Sequence, residues 1–179
     1  DWVLIHGAAG GVGLAAVQIA RGRGARVIGS AGSAAKRRLL QALGVEATVD
    51  SRGHDFADRV IAITGGRGVD VVLNSLFGER METSLACLAP FGRCVELGKR
   101  DIYGHGAMGL RAMRLNASWF GVDVDQLLRH RPDVAARAMA RLARNLAGGQ
   151  LLPLPYRRFA AQDVAEAFRL MQGAGHVGK

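Results

Sequence analysis

The sequence predicts an α/β protein built on a doubly wound parallel sheet of the Rossmann type, in three layers α/β/α, with a C-terminal helical extension. Three observations predict it. Short β-rich runs alternate with helical patterns over the first two-thirds of the chain. The first such run leads directly into a cluster of glycines. Many of the 25 glycines fall where a strand pattern gives way to a helix pattern. Alternation of this kind implies parallel strands joined by right-handed crossovers, with helices on both faces of the sheet.

The elements follow in order. Trp2 to His6 reads as the first strand. Val12 to about Arg21 reads as a helix with Val12, Ala15, Ala16 and Ile19 on one face. Arg26 to Ser30 is the second strand. Ala34 to Leu43 is a helix, with Ser33 placed to cap it and Gly44 to stop it. Ala47 to Val49 is a short third strand, and Asp55 to Thr64 a helix ended by Gly65-Gly66. Val69 to Leu73 is nearly continuously apolar, as a central parallel strand buried on both faces should be. Glu79 to Leu88 is a helix that stops before Pro90, Arg93 to Leu97 a fifth strand, and Ser118 to Val122 a sixth. The alternation ends there. Pro132 to Ala147 is a strong helix with Pro132 near its first position and Gly148-Gly149 beyond its end. An extended segment, Leu151 to Pro155, and a short helix, Asp163 to Met171, complete the chain with no closing strand. The reading divides into residues 1–125, a nucleotide-binding unit, and residues 126–179, a helical and extended segment that completes it.

Bulk properties bound the function. A chain of 179 residues fills one α/β domain. No run approaches the roughly 18 apolar residues that mark a membrane span. The first residues lack the basic start of a signal peptide and enter a strand at once, so an excerpt of a longer chain is expected. Cys87 and Cys94 are too few for a disulfide framework and lie outside any metal-ligand spacing. Buried reduced thiols, no metal and a cytoplasmic setting are expected. The net charge of +9 is spread over several helices and turns, with no basic tail and no interleaved aromatic and basic strand pattern. That argues against nucleic acid and for a polyanionic cofactor together with an acidic protein partner.

The first strand runs into Gly7-Ala8-Ala9-Gly10-Gly11-Val12-Gly13, which opens the first helix. A dinucleotide needs such a turn. One glycine permits the tight bend, a second lets the backbone approach the pyrophosphate, and a third lets helix and strand pack closely. The phosphates then lie at a helix N-terminus, where free N–H groups and the helix dipole favour an anion. Ala9, Gly10, Gly11, Val12 and Gly13 are therefore the predicted pyrophosphate contacts. An NAD-binding protein places an acid near the end of the second strand; here the chain reads Ser30-Ala31-Gly32-Ser33-Ala34-Ala35-Lys36. An acid would repel a ribose 2′-phosphate, whereas hydroxyls and cations favour it. The cofactor read from this is NADP(H), with Ser33 and Lys36 as its phosphate contacts and Arg52, after the third strand, as a further candidate.

Several of these runs resemble a known family. The turn Ala9-Gly10-Gly11-Val12-Gly13 is similar to that of zinc-independent medium-chain reductases of the quinone oxidoreductase branch. Three further runs narrow the resemblance. They are Gly68 through Leu76, Gly92-Arg93 with Glu96 through Asp101, and Ala167 through Met171 with His176-Val177-Gly178-Lys179. Together they resemble the nucleotide-binding half of the enoylreductase domains of polyketide synthases and animal-type fatty acid synthases.

The resemblance implies NADPH-dependent reduction of an α,β-unsaturated acyl thioester. The acyl group would ride on the phosphopantetheine arm of an acyl carrier protein, among the other domains of a multidomain synthase. Homodimers occur in such families. It implies catalytic roles for Lys99, after the fifth strand, and for a later aspartate. Asp125 matches that aspartate best, with Asp123 an open alternative. Asn74, Ser75, Leu76 and Gly98 are expected near the nicotinamide end. His6 and His105 are weak candidates for acids. The family's barrel-like substrate domain is expected to lie outside this sequence. Two other readings stay open, a free-standing quinone or enone reductase and a non-catalytic nucleotide-binding module.

Overall fold

The computed structural model describes residues 1–53, 55–104 and 109–179; His105 lies outside them. Six parallel strands form one sheet: β1 (Trp2–Ile5), β2 (Arg26–Ser30), β3 (Ala47–Val49), β4 (Val69–Asn74), β5 (Leu88–Glu96) and β6 (Ser118–Gly121). Their order in space is β3-β2-β1-β4-β5-β6, the doubly wound order whose switch point falls between β1 and β4. Four crossover helices link the first five strands: α1 (Gly11–Gly22), α2 (Ala34–Ala42), α3 (Phe56–Ile63) and α4 (Glu79–Ala86). A short α5 (Arg100–Tyr103) precedes β6. Then come α6 (Val124–His130), α7 (Pro132–Ala147) and α8 (Val164–Gln172).

Strand periodicity sorts the core into two layers. Leu4, Ile28 and Val72 point to the face covered by α3 and α4, where they meet Phe56, Val60, Met81 and Leu85. Ile5 and Val27 point to the opposite face and meet Leu14, Val17, Leu40 and Val45 of the α1–α2 side. Both cysteines are buried and free, and burial raises each thiol to about 12, so both stay protonated. Ser33 caps α2 as expected, its Oγ accepting the Lys36 N–H at 3.3 Å.

Two expectations are corrected. The face of α1 that packs inward carries Gly13, Leu14 and Val17, while Val12 and Ile19 are 59% and 45% exposed. The close approach at Gly13 fixes the rotation of the helix, and apolar periodicity alone cannot tell which stripe wins. Strand β5 begins at Leu88, well before Arg93. Val69 pairs with Leu88 and Val71 with Arg93, so a bulge around Pro90 and Phe91 absorbs the extra residues. Two helices, α5 and α6, lie on either side of β6, where the sequence patterns name no element. The tail adds no strand to the sheet among the described residues; Gly178 makes only an isolated parallel bridge to Gly10, in the turn after β1.

Candidate functional site

In an open parallel sheet, ligands bind beyond the carboxyl ends of the strands, where loops diverge at the switch point. The predicted cofactor contacts, Lys99 and the two aspartates lie on that edge and form two groups.

The first group surrounds the glycine turn. Gly10 N–H donates to Gly7 O at 2.9 Å, and Leu14 N–H to Gly10 O at 2.8 Å, which folds the turn into the start of α1. A side chain at Gly13 would put its Cβ 2.3 Å from Gly7 O and 2.5 Å from Ala8 Cα. Only glycine allows that helix–strand approach. Beside the turn lies a cavity of about 290 Å³. Ala9 and Gly10 form one wall; Ser33, Lys36 and Arg52 form the facing one. Gly11, Val12 and Gly13 are part of the turn but not of this cavity wall. Arg52 is held by its turn, whose N–H donates to Asp50 Oδ1 at 2.9 Å, and its side chain lies against Gly32. Asp50 itself pairs with Arg37 at 2.8 Å. The Lys36 ammonium is depressed below its usual value, first by partial burial and then by the like charge of Arg52. Arg80 of α4 and His176 after α8 also line the cavity, and sequence reasoning missed both. Neither follows a local pattern, since a crossover and the tail bring them in from distant parts of the chain.

Beneath this group His6 is buried between Ser30, at 2.8 Å from Nδ1, and Ser84, at 3.0 Å from Nε2. Burial lowers its pKa to about 4, so at neutral pH it is an uncharged link between β1, β2 and α4.

The second group sits past β4, β5 and β6. Asn74 is fully buried. Its Nδ2 donates to Glu96 and, at 2.9 Å, to Leu76 O, while Leu76 N–H donates back to Asn74 Oδ1 at 3.3 Å. Glu96 accepts the Gly98 N–H at 2.5 Å on its other oxygen. This buried amide–carboxylate pair joins the loops after β4 and β5 and so sets where Lys99 begins. Ser75, by contrast, is exposed beside Gly7. Lys99 Nζ lies 2.6 Å from Asp125 Oδ2 and 2.7 Å from Asp123 Oδ1. Both aspartates that the sequence left open pair with Lys99. Tyr103 donates its hydroxyl to Asp123 Oδ2 at 2.7 Å. The hydrogen bonds to the two carboxylates raise the Lys99 ammonium well above its ordinary value, and that from Lys99 holds Asp123 at about 2. Phe77, Ile102, Tyr103 and Val124, from the same loops, are exposed.

Among the described residues, no three His, Cys, Asp or Glu side chains gather into a metal-binding group, and no helix is long and apolar enough to cross a membrane.

Residues 11–142, which include the start of α1 and the whole Lys99 group, match the model of the zinc-binding dehydrogenase family. The chain belongs to that family. Within it, the chain belongs with the enoylreductase domains of polyketide synthases. It is 47% identical to the nucleotide-binding subdomain of the enoylreductase domain of PpsC from Mycobacterium tuberculosis, with a TM-score of 0.78 and 85% of each chain covered. It is 41% identical to the CurK enoyl reductase, with a TM-score of 0.88, covering 99% of this chain and 53% of that one. In sequence it is 48% identical over 177 residues to a phenolphthiocerol/phthiocerol polyketide synthase of Mycobacterium tuberculosis. That match covers 99% of this chain and 8% of the synthase.

Proposed function

We propose that this chain is the NADPH-binding half of an enoylreductase that reduces an α,β-unsaturated acyl thioester, carried on an acyl carrier protein within a polyketide or fatty acid synthase. The observation that carries the reading is the placement, on one sheet edge, of a glycine turn beside a cation-lined cavity and of a lysine held charged by two carboxylates. Residues 1–125 then supply the nucleotide-binding unit, and 126–179 complete it and lead towards a substrate domain.

The cavity fits the phosphorylated ribose of NADPH. Lys36, Arg52 and Arg80 converge on it, and among the described residues no acidic side chain lines it. Burial first, and then the like charge of Arg52, depresses the Lys36 ammonium; a 2′-phosphate beside the two cations would favour the charged form again. Ser33 adds a hydroxyl to the same wall. The turn from Ala9 to Gly13 would cradle the pyrophosphate, with the α1 N-terminus favouring its charge. Ser75, Leu76 and Gly98 line the approach towards the nicotinamide end, and Asn74 holds that loop from below.

When bound, NADPH supplies a hydride to the β-carbon of the unsaturated thioester. Lys99 answers the negative charge that develops on the thioester oxygen. Its ammonium has three donors, of which Asp123 and Asp125 take two. The third is free to aim at that oxygen. A raised affinity for its proton keeps Lys99 charged at neutral pH, so its part is electrostatic stabilisation of the enolate. The α-carbon of that enolate would take its proton from water to complete the reduction. Asp123 and Asp125 orient the amine, and Tyr103 fixes Asp123.

Replacing Lys99 by Ala in the complete enzyme, assayed on a carrier-bound enoyl thioester, tests this. The expected result is a loss of roughly 10²–10³ in kcat with NADPH affinity unchanged. An unchanged reduction rate would remove Lys99 from the chemistry.

A further inference from the structure

The tail after α8 has no part in that mechanism, although its His176-Val177-Gly178-Lys179 run is among the most distinctive in the sequence. This tail turns back across the carboxyl edge of the sheet. Gly178 N–H donates to Ala9 O at 2.9 Å, and Lys179 N–H to Pro155 O at 3.0 Å. Arg157 N–H closes the pattern by donating to Lys179 O at 2.8 Å. A Cβ at Gly178 would stand 1.9 Å from Pro155 O, so only glycine permits the crossing. Val177 packs into the α1–α2 core, and the Lys179 side chain lies along Gly11. From the other side, Lys36 Nζ donates to Ala174 O at 2.6 Å. The tail is thus tied at once to the glycine turn and to the first turn of α2, two segments that line the cavity.

His176 is carried in the middle of this span. It lines the same cavity as Ser33, Lys36, Arg52 and Arg80. Its Nδ1 is buried and has no hydrogen-bond partner among the described residues. Buried polar nitrogens in folded proteins are nearly always paired, and one that is not calls for a partner such as a water, an ion or a ligand. The cation-lined cavity that His176 shares favours an anionic one. A phosphate oxygen in a cavity already ringed by cations is such a partner, because the imidazole can donate to it.

We propose that residues 174–179 form a strap that closes the nucleotide site on its adenosine side, and that His176 donates a hydrogen bond to the ribose 2′-phosphate. The inference rests on the reading of this cavity as the phosphorylated-ribose site. It adds a specificity-determining residue supplied from the far end of the chain, and it explains why the tail is bound to both walls. Loss of the imidazole weakens a ligand that carries the 2′-phosphate and spares one that lacks it.

Titration calorimetry with 2′,5′-ADP and with 5′-ADP, on the wild-type chain and on His176→Ala, His176→Asn and His176→Gln, tests it. A hydrogen bond to a charged phosphate predicts roughly tenfold weaker 2′,5′-ADP binding by His176→Ala. The 5′-ADP affinity should stay within about twofold, and Asn or Gln should restore part of the loss. Unchanged 2′,5′-ADP affinity in His176→Ala overturns the strap inference alone. So does an equal loss for both ligands, or a loss that neither Asn nor Gln repairs, because each marks a packing role. A wild-type chain that does not favour 2′,5′-ADP over 5′-ADP overturns the cavity reading, and the inference with it.

Discussion

The two ends of the sheet's carboxyl edge are built in different ways. Past β1 and β2 the nucleotide side is made of backbone: a turn that Gly13 presses onto Gly7 and Ala8, closed over by the Gly178 crossing. Past β5 and β6 the chemistry side is made of side chains. Lys99 is 43% exposed and Asp125 is 76% exposed, and their ion pairs face solvent. Exposed pairs of this kind contribute little to stability. Close packing of backbone against backbone contributes far more, since a misplaced methyl there forces the whole turn to move. On the proposed function, binding geometry is fixed by the fold itself, whereas Lys99 is only oriented, by carboxylates that a second surface could cover. Phe77, Ile102 and Val124, exposed around Lys99, are the apolar part of that open side.

The sharpest way to break this contrast is to load the backbone side. Gly13→Ala is expected to cost about 3 kcal/mol of stability and to abolish nucleotide binding, as read by urea unfolding and calorimetry. Lys99→Ala should leave the unfolding midpoint where it is. Equal effects of the two substitutions would erase the distinction between the sides.

Acid offers a second probe, because His6 underlies only the nucleotide side. Its folded pKa of about 4 lies below the ordinary 6.5, so the unfolded chain takes up a proton before the folded one does. The stability this provides is fully present above pH 6.5 and is lost as the pH falls towards about 4, a total of roughly 3 kcal/mol. Urea titrations across that window should show the slope in the wild-type chain and a flat profile in His6→Asn. A wild-type profile that is already flat would mean that His6 takes up its proton equally in the folded and the unfolded chain.

Much of this architecture was legible in the sequence. The limits of β2, β3 and α7 follow from apolar runs bounded by Gly, Ser and Pro, and Ser33 announced itself as a cap. What was hidden depends on long-range packing. Nothing local says that Pro90 lies within a bulged strand, or that α1 turns Leu14 and Val17 inward in place of Val12 and Ile19. In the site, Ser33, Lys36 and Arg52 were found from the absence of an acid after β2. Arg80 and His176 were not, because only the fold brings them to the same cavity. Asp123 and Asp125 could not be separated by sequence for a physical reason: Lys99 takes both.

The central claim is that the nucleotide side is complete within this chain and selects the phosphorylated cofactor. Calorimetry with NADPH and NADH at moderate salt, on the wild-type chain and on a Ser33→Ala, Lys36→Ala double variant, tests it most directly. The account predicts measurable NADPH binding, a preference over NADH, and a preference that shrinks by about tenfold in the double variant. Equal affinities for the two nucleotides, or no binding of either by a folded chain, would contradict it.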